Sequence, residues 1–211
     1  NYLNSMIVRS FGKWRIGCMK QSKHETQRLI IRPFKLSDYK VWFEAYVERL
    51  PKQSKWDLKK YKPSECTKKI YSNILKDYRQ LAKKDEYYRY GLFEKNTNKL
   101  IGHIDFDIFS RGSLQFANFG YRIHNRYWKQ GYGSEASKFG LKIGFEELKL
   151  NRLEAAINLD NKISIKLVQK IGMRKEGVRK RYWFENGKWV DHLMYVVNPE
   201  DVGLKYKNPL K

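Results

Sequence analysis

Two glycines placed where a run of strands gives way to a helix restrict the fold of this chain more than any other feature. They stand in Gln130-Gly131-Tyr132-Gly133-Ser134. Upstream, residues 88–93, 100–109 and 114–123 read as strands, separated by the turn signals Asn96-Thr97-Asn98 and Ser110-Arg111-Gly112-Ser113. This pattern predicts a three-stranded meander. Downstream, Ala136, Gly140 and Gly144 give a helix that stops near Leu150 a flat face for close packing. Glycines in a strand-to-helix turn let backbone N–H groups converge at a helix N-terminus, which suits a phosphate or pyrophosphate. The same glycines also serve a tight turn, and the local sequence leaves both readings open. The segment is neither a GxxxxGK[ST] loop nor a GxGxxG fingerprint.

The flanking segments complete the order β-α-α-β-β-β-α-β-α-β-β. Leu29-Ile30-Ile31 reads as a strand ended by Pro33, and Ser37-Asp38 can cap a helix through Trp42, Ala45 and Tyr46. Ser64 is the expected cap of a second helix, in which Ile70, Ile74, Tyr78 and Leu81 recur at helical spacing. Residues 153–158 read as a strand, 163–171 as a helix, and 173–184 with 189–197 as a hairpin turning at Glu185-Asn186-Gly187-Lys188. The expectation is an α/β (α+β) fold with a mixed sheet of about seven strands and about four helices. The 211 residues fit one domain over 25–200, with a basic extension over 1–24 and a tail over 201–211. The extension is either a peripheral or disordered segment or a basic arm with a binding role.

Composition narrows the function. Two cysteines rule out a disulfide framework and favour a reducing, cytoplasmic setting. No apolar run is long enough to span a membrane. With 44 Lys and Arg against 22 Asp and Glu, the net charge of +22 attracts anionic partners such as RNA or phosphates. Lys162, Lys166 and Lys170 form an i, i+4 stripe, which is either a solvated face or a place for a phosphate or ribosomal RNA.

The succession of Gly120-Tyr121-Arg122-Ile123, Gly131-Tyr132-Gly133-Ser134-Glu135-Ala136 and the segment from Asn161 through Ser164 to Gly172-Met173 resembles the GNAT acetyltransferases. It is closest in pattern to their ribosomal-protein N-acetyltransferase (Rim-type) branch, with its GY-[AG]-[ST]-EA loop and N-x-x-S-x-x-[LV]-x-x-K-x-G-[FM] helix. Arg28-Leu29-Ile30-Ile31-Arg32-Pro33 resembles that branch's opening strand, and Glu176-Gly177 with Asp191-His192 its final hairpin, so the similarity spans residues 28–197. The resemblance implies acetyl-CoA as co-substrate, no metal, and a monomer or homodimer. It places the pyrophosphate on the backbone of Gln130, Gly131, Tyr132, Gly133 and Ser134. The pantetheine arm would lie along Ile123 to Asn125, with Asn161 and Ser164 as further contacts. Asn161 is equally suited to cap the helix that follows it. Where many relatives carry glutamine or arginine, this chain has Trp128.

The implied reaction is direct attack of an amine on the thioester, with no covalent enzyme intermediate. The tyrosine that often protonates the leaving thiolate is replaced by Val168, and Ser164 is the favoured substitute, unless it only satisfies its own helix backbone. The position often held by a glutamate base carries Asn118 and Phe119. The remaining base candidates are His103, Asp105 and Asp107, which share a strand face by period two, and Glu44; each also fits a structural role. Weak bases favour an α-amine, of pKa about 8, over a lysine, of pKa about 10.4. The leading expectation is acetylation of a protein N-terminus, such as that of a ribosomal protein. The alternatives are a small amine such as a polyamine or antibiotic, or a weakly catalytic module that binds acyl-CoA or RNA.

Overall fold

In the computed structural model, residues 21–205 are described. Their strands form one sheet of eight in the order β1-β2-β3-β4-β5-β6-β8-β7. These are β1 (His24–Glu25), β2 (Leu29–Arg32), β3 (Tyr87–Glu94), β4 (Leu100–Ser110), β5 (Phe116–Ile123), β6 (Arg152–Asn158), β7 (Arg174–Glu185) and β8 (Lys188–Val197). The helices are α1 (Tyr39–Val47), α2 (Lys68–Lys83), α3 (Tyr132–Lys142) and α4 (Lys162–Lys170). Of the expected N-terminal extension, residues 1–20 lie outside the described residues, as do 206–211 of the expected tail. Gln21 to His24 belong to the fold's edge. Gln21 donates to the Arg89 carbonyl, and His24 pairs with both β2 and the Glu147 carboxylate.

Alternation along β3, β4 and β5 divides the molecule into two layers. Tyr88, Tyr90, Ile104, Phe106 and Phe119 face α3 and α4 in the larger core. A second cluster, built on Trp42, Tyr71, Leu75 and Phe93, seats α1 and α2 on the opposite face. The flat side of α3 is required by its surroundings. A Cβ on Gly140 would stand 2.8 Å from the Phe119 ring, and one on Gly144, in the π-helical turn Ile143–Glu147 that continues α3, 2.8 Å from Leu153. The last hairpin closes through Asn186-Gly187, both at positive φ, which is what a two-residue turn between twisted strands demands.

Two caps differ from expectation for electrostatic and conformational reasons. Pro63 starts a separate 3-10 turn that takes in Ser64, and α2 begins after Thr67, whose hydroxyl accepts from Ile70 N. Asp38 precedes α1 but does not cap it by side chain. Its carboxylate is held bidentately by Arg32 at 2.7 and 2.8 Å and accepts from Lys35 N. Arginine geometry matches a carboxylate better than a single amide does.

Candidate active site

β5 and β6 run parallel and pair over three positions, Phe116 with Arg152, Ala117 with Leu153 and Asn118 with Glu154. Beyond these they part. β5 stays bonded to β4 out to Ile123, and β6 stays bonded to β8 out to Asn158. A wedge therefore opens in the middle of the sheet at the carboxyl ends of two parallel strands. α3 follows one wall and α4 the other, so two helix N-termini meet at its mouth. Ligands of open α/β sheets bind at such a place, where strands diverge and helix dipoles converge.

The turn into α3 is built for close backbone approach. Gly131, at φ +82°, is the N-cap, and Lys129 is also left-handed at +61°. The first-turn N–H groups of a helix have no partner within it, so those after Gly131 point outward. Arg28 braces the turn from β2's leading end, donating to the Gln130 carbonyl at 2.9 Å and to Glu135 Oε2 at 2.7 Å while lying over the Tyr132 ring at 4.2 Å. A Cβ on Gly133 would touch Leu167 and Ile123 at 3.4 and 3.6 Å, which brings α3, α4 and β5 together at that point. Trp128 closes the loop back on the strand by donating to the Ile123 carbonyl at 2.8 Å.

On the α3 and α4 side of the wedge, Ser164 of α4 faces Tyr121 of β5. Their hydroxyl oxygens are 2.6 Å apart, and the Tyr121 hydroxyl also donates to the Ser164 carbonyl at 3.2 Å. Burial pushes the Tyr121 phenol up to about 12 against the opposing hydrogen bond from Ser164. Asn161 caps α4, its side chain accepting from Ser164 N at 3.2 Å.

Asp105 and His103 lie on the opposite face, under α1 and α2. Gly120 of β5 has no side chain, and Asp105 fills that space: a Cβ on Gly120 would stand 2.2 Å from Asp105 Oδ1. The carboxylate thus leans across β5 toward the wedge. Arg89 holds its other oxygen at 3.1 Å, and His103 Nε2 is 3.5 Å away. His103 is buried, and that burial, with Arg89 and Arg122 nearby, drives its pKa well below 6.5, so it is a neutral ring at pH 7. Asp107, opposite Asn118, is raised to about 6 by burial and by the Asp105 charge. The expected catalytic residues therefore fall into two groups, Ser164 on one face and Asp105 with His103 on the other, with the wedge between.

Asn125 is tied to the α1–α2 connection, which spacing did not reveal. Its amide nitrogen donates to the carbonyls of Leu50 and Pro51 and to Asp57, which also forms a buried ion pair with Arg49. These bonds pin the α1–α2 connection beside the end of β5, and Lys55 on that connection pairs with Asp160 before α4. A cavity of about 10 Å³ bounded by Trp42, Tyr46, Tyr78, Arg89 and His103 lies on the α1 and α2 face. A larger one, about 70 Å³, lies between α1 and the segment that follows β5, bounded by Glu44, Arg49, His124 and Tyr127. Tyr121, Arg89 and the gap above Gly120 escaped the sequence reading. Strand parity, which groups Tyr121 with Phe119 and Ile123, is the signal that could have found the first. Among the described residues no cluster suits a metal ion, and no helix is long and apolar enough to cross a membrane.

Residues 28–174 match the family model described as the Acetyltransferase (GNAT) domain, and the chain belongs to that family. It is an N-acetyltransferase of the GNAT type. The chain is 34% identical to YjcK of Bacillus subtilis (strain 168), a probable N-acetyltransferase, over 59% of this chain and 70% of that protein. It is 25% identical to the [ribosomal protein uS5]-alanine N-acetyltransferase of Escherichia coli (strain K12), over 83% of this chain and 90% of the relative. Among solved structures, Mycobacterium smegmatis RimJ in complex with CoA-disulfide superimposes with a TM-score of 0.69 at 21% identity, covering 83% of this chain and 84% of that one.

Proposed function

We propose that the protein transfers an acetyl group from acetyl-CoA to a protein N-terminal α-amine. The observation that carries the reading is the wedge between β5 and β6 with the Gly131 turn at its mouth. The backbone N–H groups from Gln130 to Ser134 would hold the pyrophosphate, and the unpaired edge of β5 would hold the pantetheine amides. When bound, acetyl-CoA supplies the activated carbonyl. The protein aligns it with the amine, which alone supplies about 7 to 11 kcal/mol of the barrier.

On the acceptor side, Asp105 projects over Gly120 toward the reacting centre and takes the ammonium proton, directly or through a water. Asp107, raised to about 6, is the neighbouring carboxyl best poised to hold a proton near neutral pH. His103, neutral and buried, packs beside Asp105 and accepts no proton at pH 7. An α-amine, with its lower pKa, asks less of such a base than a lysine does. The uS5-alanine relative supports a ribosomal protein as acceptor. The net charge of +22 repels polycations and so disfavours polyamines, while the exposed lysines of α4 suit docking near ribosomal RNA. Mass spectrometry of peptides incubated with enzyme and acetyl-CoA tests the site of transfer. The reading requires the acetyl group on the terminal nitrogen; acetylation confined to lysine side chains or small amines contradicts it.

A further inference from the structure

We propose that Tyr121 stabilises the departing thiolate by donating its phenol O–H to the sulfur, with Ser164 as the hydroxyl that holds it in place. This rests on acetyl-CoA occupying the wedge. The α4 position from which related enzymes present a phenol holds Val168, which is fully buried and carries no proton. Tyr121 brings a phenol from the other wall. It lies on the part of β5 that has parted from β6, and its hydroxyl reaches across to the first turn of α4, 2.6 Å from Ser164 Oγ. A thioester threading the wedge on this face must pass the hydroxyl pair.

The hydrogen bonding leaves the phenol proton available. Ser164 Oγ can donate to the phenolic oxygen, while the phenol's own proton is spent on the longer contact to the Ser164 carbonyl, at 3.2 Å. Turning that O–H from the carbonyl to an arriving sulfur exchanges a long bond for a charge-assisted one. Burial keeps the group protonated throughout the working range, with a pKa of about 12. In the step itself, the amine lone pair forms the N–C bond and the C–S bond breaks with its electron pair on sulfur. The Tyr121 O–H, too weak an acid to be emptied by a thiolate, keeps its proton and donates a hydrogen bond to the sulfur as charge develops there. The thiolate takes a proton from solvent to give the free thiol, and the amine's surplus proton leaves through the carboxylates. The products are one amide and one thiol.

Tyr121→Phe removes one oxygen and leaves the ring packing in place. Turnover with acetyl-CoA is expected to fall about 100-fold, in the range for loss of one donor to a developing negative charge, with the KM for acetyl-CoA changed less than threefold. With acetyl-selenocoenzyme A, whose selenolate needs less stabilisation to leave, the same variant should stay within about threefold of wild type. Equal losses with both donors would make Tyr121 a packing residue and overturn the proposal, as would full turnover on acetyl-CoA. A readout without turnover is the thiol pKa of bound CoA, followed by thiolate absorbance. It should lie at least one unit lower on wild type than on Tyr121→Phe, because the phenol donates to the thiolate; equal values overturn the assignment. Failure of wild type to bind CoA in the same titration instead removes the reading of the wedge on which the proposal rests.

Discussion

Replacing Asp107 by Asn should stabilise the protein, and only above acidic pH. Asp107 sits on β4 facing Asn118, and its carboxyl is raised from an ordinary 3.8 to about 6 by burial first and by the neighbouring Asp105 charge second. A carboxyl that is harder to ionise in the folded chain than in the unfolded one contributes stability that is complete below about pH 4 and lost as pH rises through 6. Each unit of pKa is worth about 1.4 kcal/mol, so the loss at pH 8 amounts to about 3 kcal/mol at most. Asn keeps the shape and a hydrogen-bonding partner for Asn118 but never ionises. Urea unfolding of both proteins from pH 4 to pH 8 should therefore show curves that meet near pH 4 and diverge by about 1 to 3 kcal/mol at pH 8, with unchanged m-values. A variant equally shifted at pH 4 and pH 8, or destabilised at pH 8, would refute the claim that an ionised Asp107 is penalised by its surroundings.

Three other variants probe the site and its surroundings. Gly131→Val forces a branched residue to φ +82° and puts a side chain against Arg28, so CoA affinity measured by calorimetry should drop at least tenfold, with about 1 to 2 kcal/mol of stability lost to backbone strain; intact affinity would show the pyrophosphate is held elsewhere. Gly120→Ala should displace the Asp105 carboxylate, which a Cβ would meet at 2.2 Å. Turnover should fall tenfold or more while CoA binding stays within twofold, and an unchanged rate would remove Asp105 from proton transfer. Changing Lys162, Lys166 and Lys170 together to Gln should reduce sedimentation with ribosomes at low salt. Retention of the variant equal to that of wild type would separate the lysine stripe from RNA docking.

Much of the fold was legible because its signals are local. Asn186-Gly187 announces a two-residue hairpin wherever it stands between alternating strands, and the turns around Asn96 and Gly112 delimit the meander in the same way. The tight turn read at Gly131 is present, and the structure adds its left-handed φ of +82°. What escaped depends on contacts across the chain. The two residues of β1 are too short to carry a pattern and exist by pairing with β2. Thr67 rather than Ser64 caps α2 because Pro63 diverts the backbone first. The meeting of Tyr121 with Ser164 is set by where β5 and β6 part, 43 residues separating the two side chains. Asp105 reaches toward the wedge only because Gly120, on the next strand, is bare. Asn125 lies at the end of β5, as expected of a cofactor contact, yet its amide is committed to the α1–α2 connection through partners some 70 positions away.

The central claim is tested most directly by thiol release from acetyl-CoA, followed against a panel of N-terminal peptides, lysine-blocked and unblocked, together with spermidine and an aminoglycoside. The account predicts release that depends on a free peptide α-amine and matches the acetylated peptide mole for mole. Tight binding of CoA with release prompted by spermidine or the aminoglycoside alone, or by no acceptor in the panel, would contradict it.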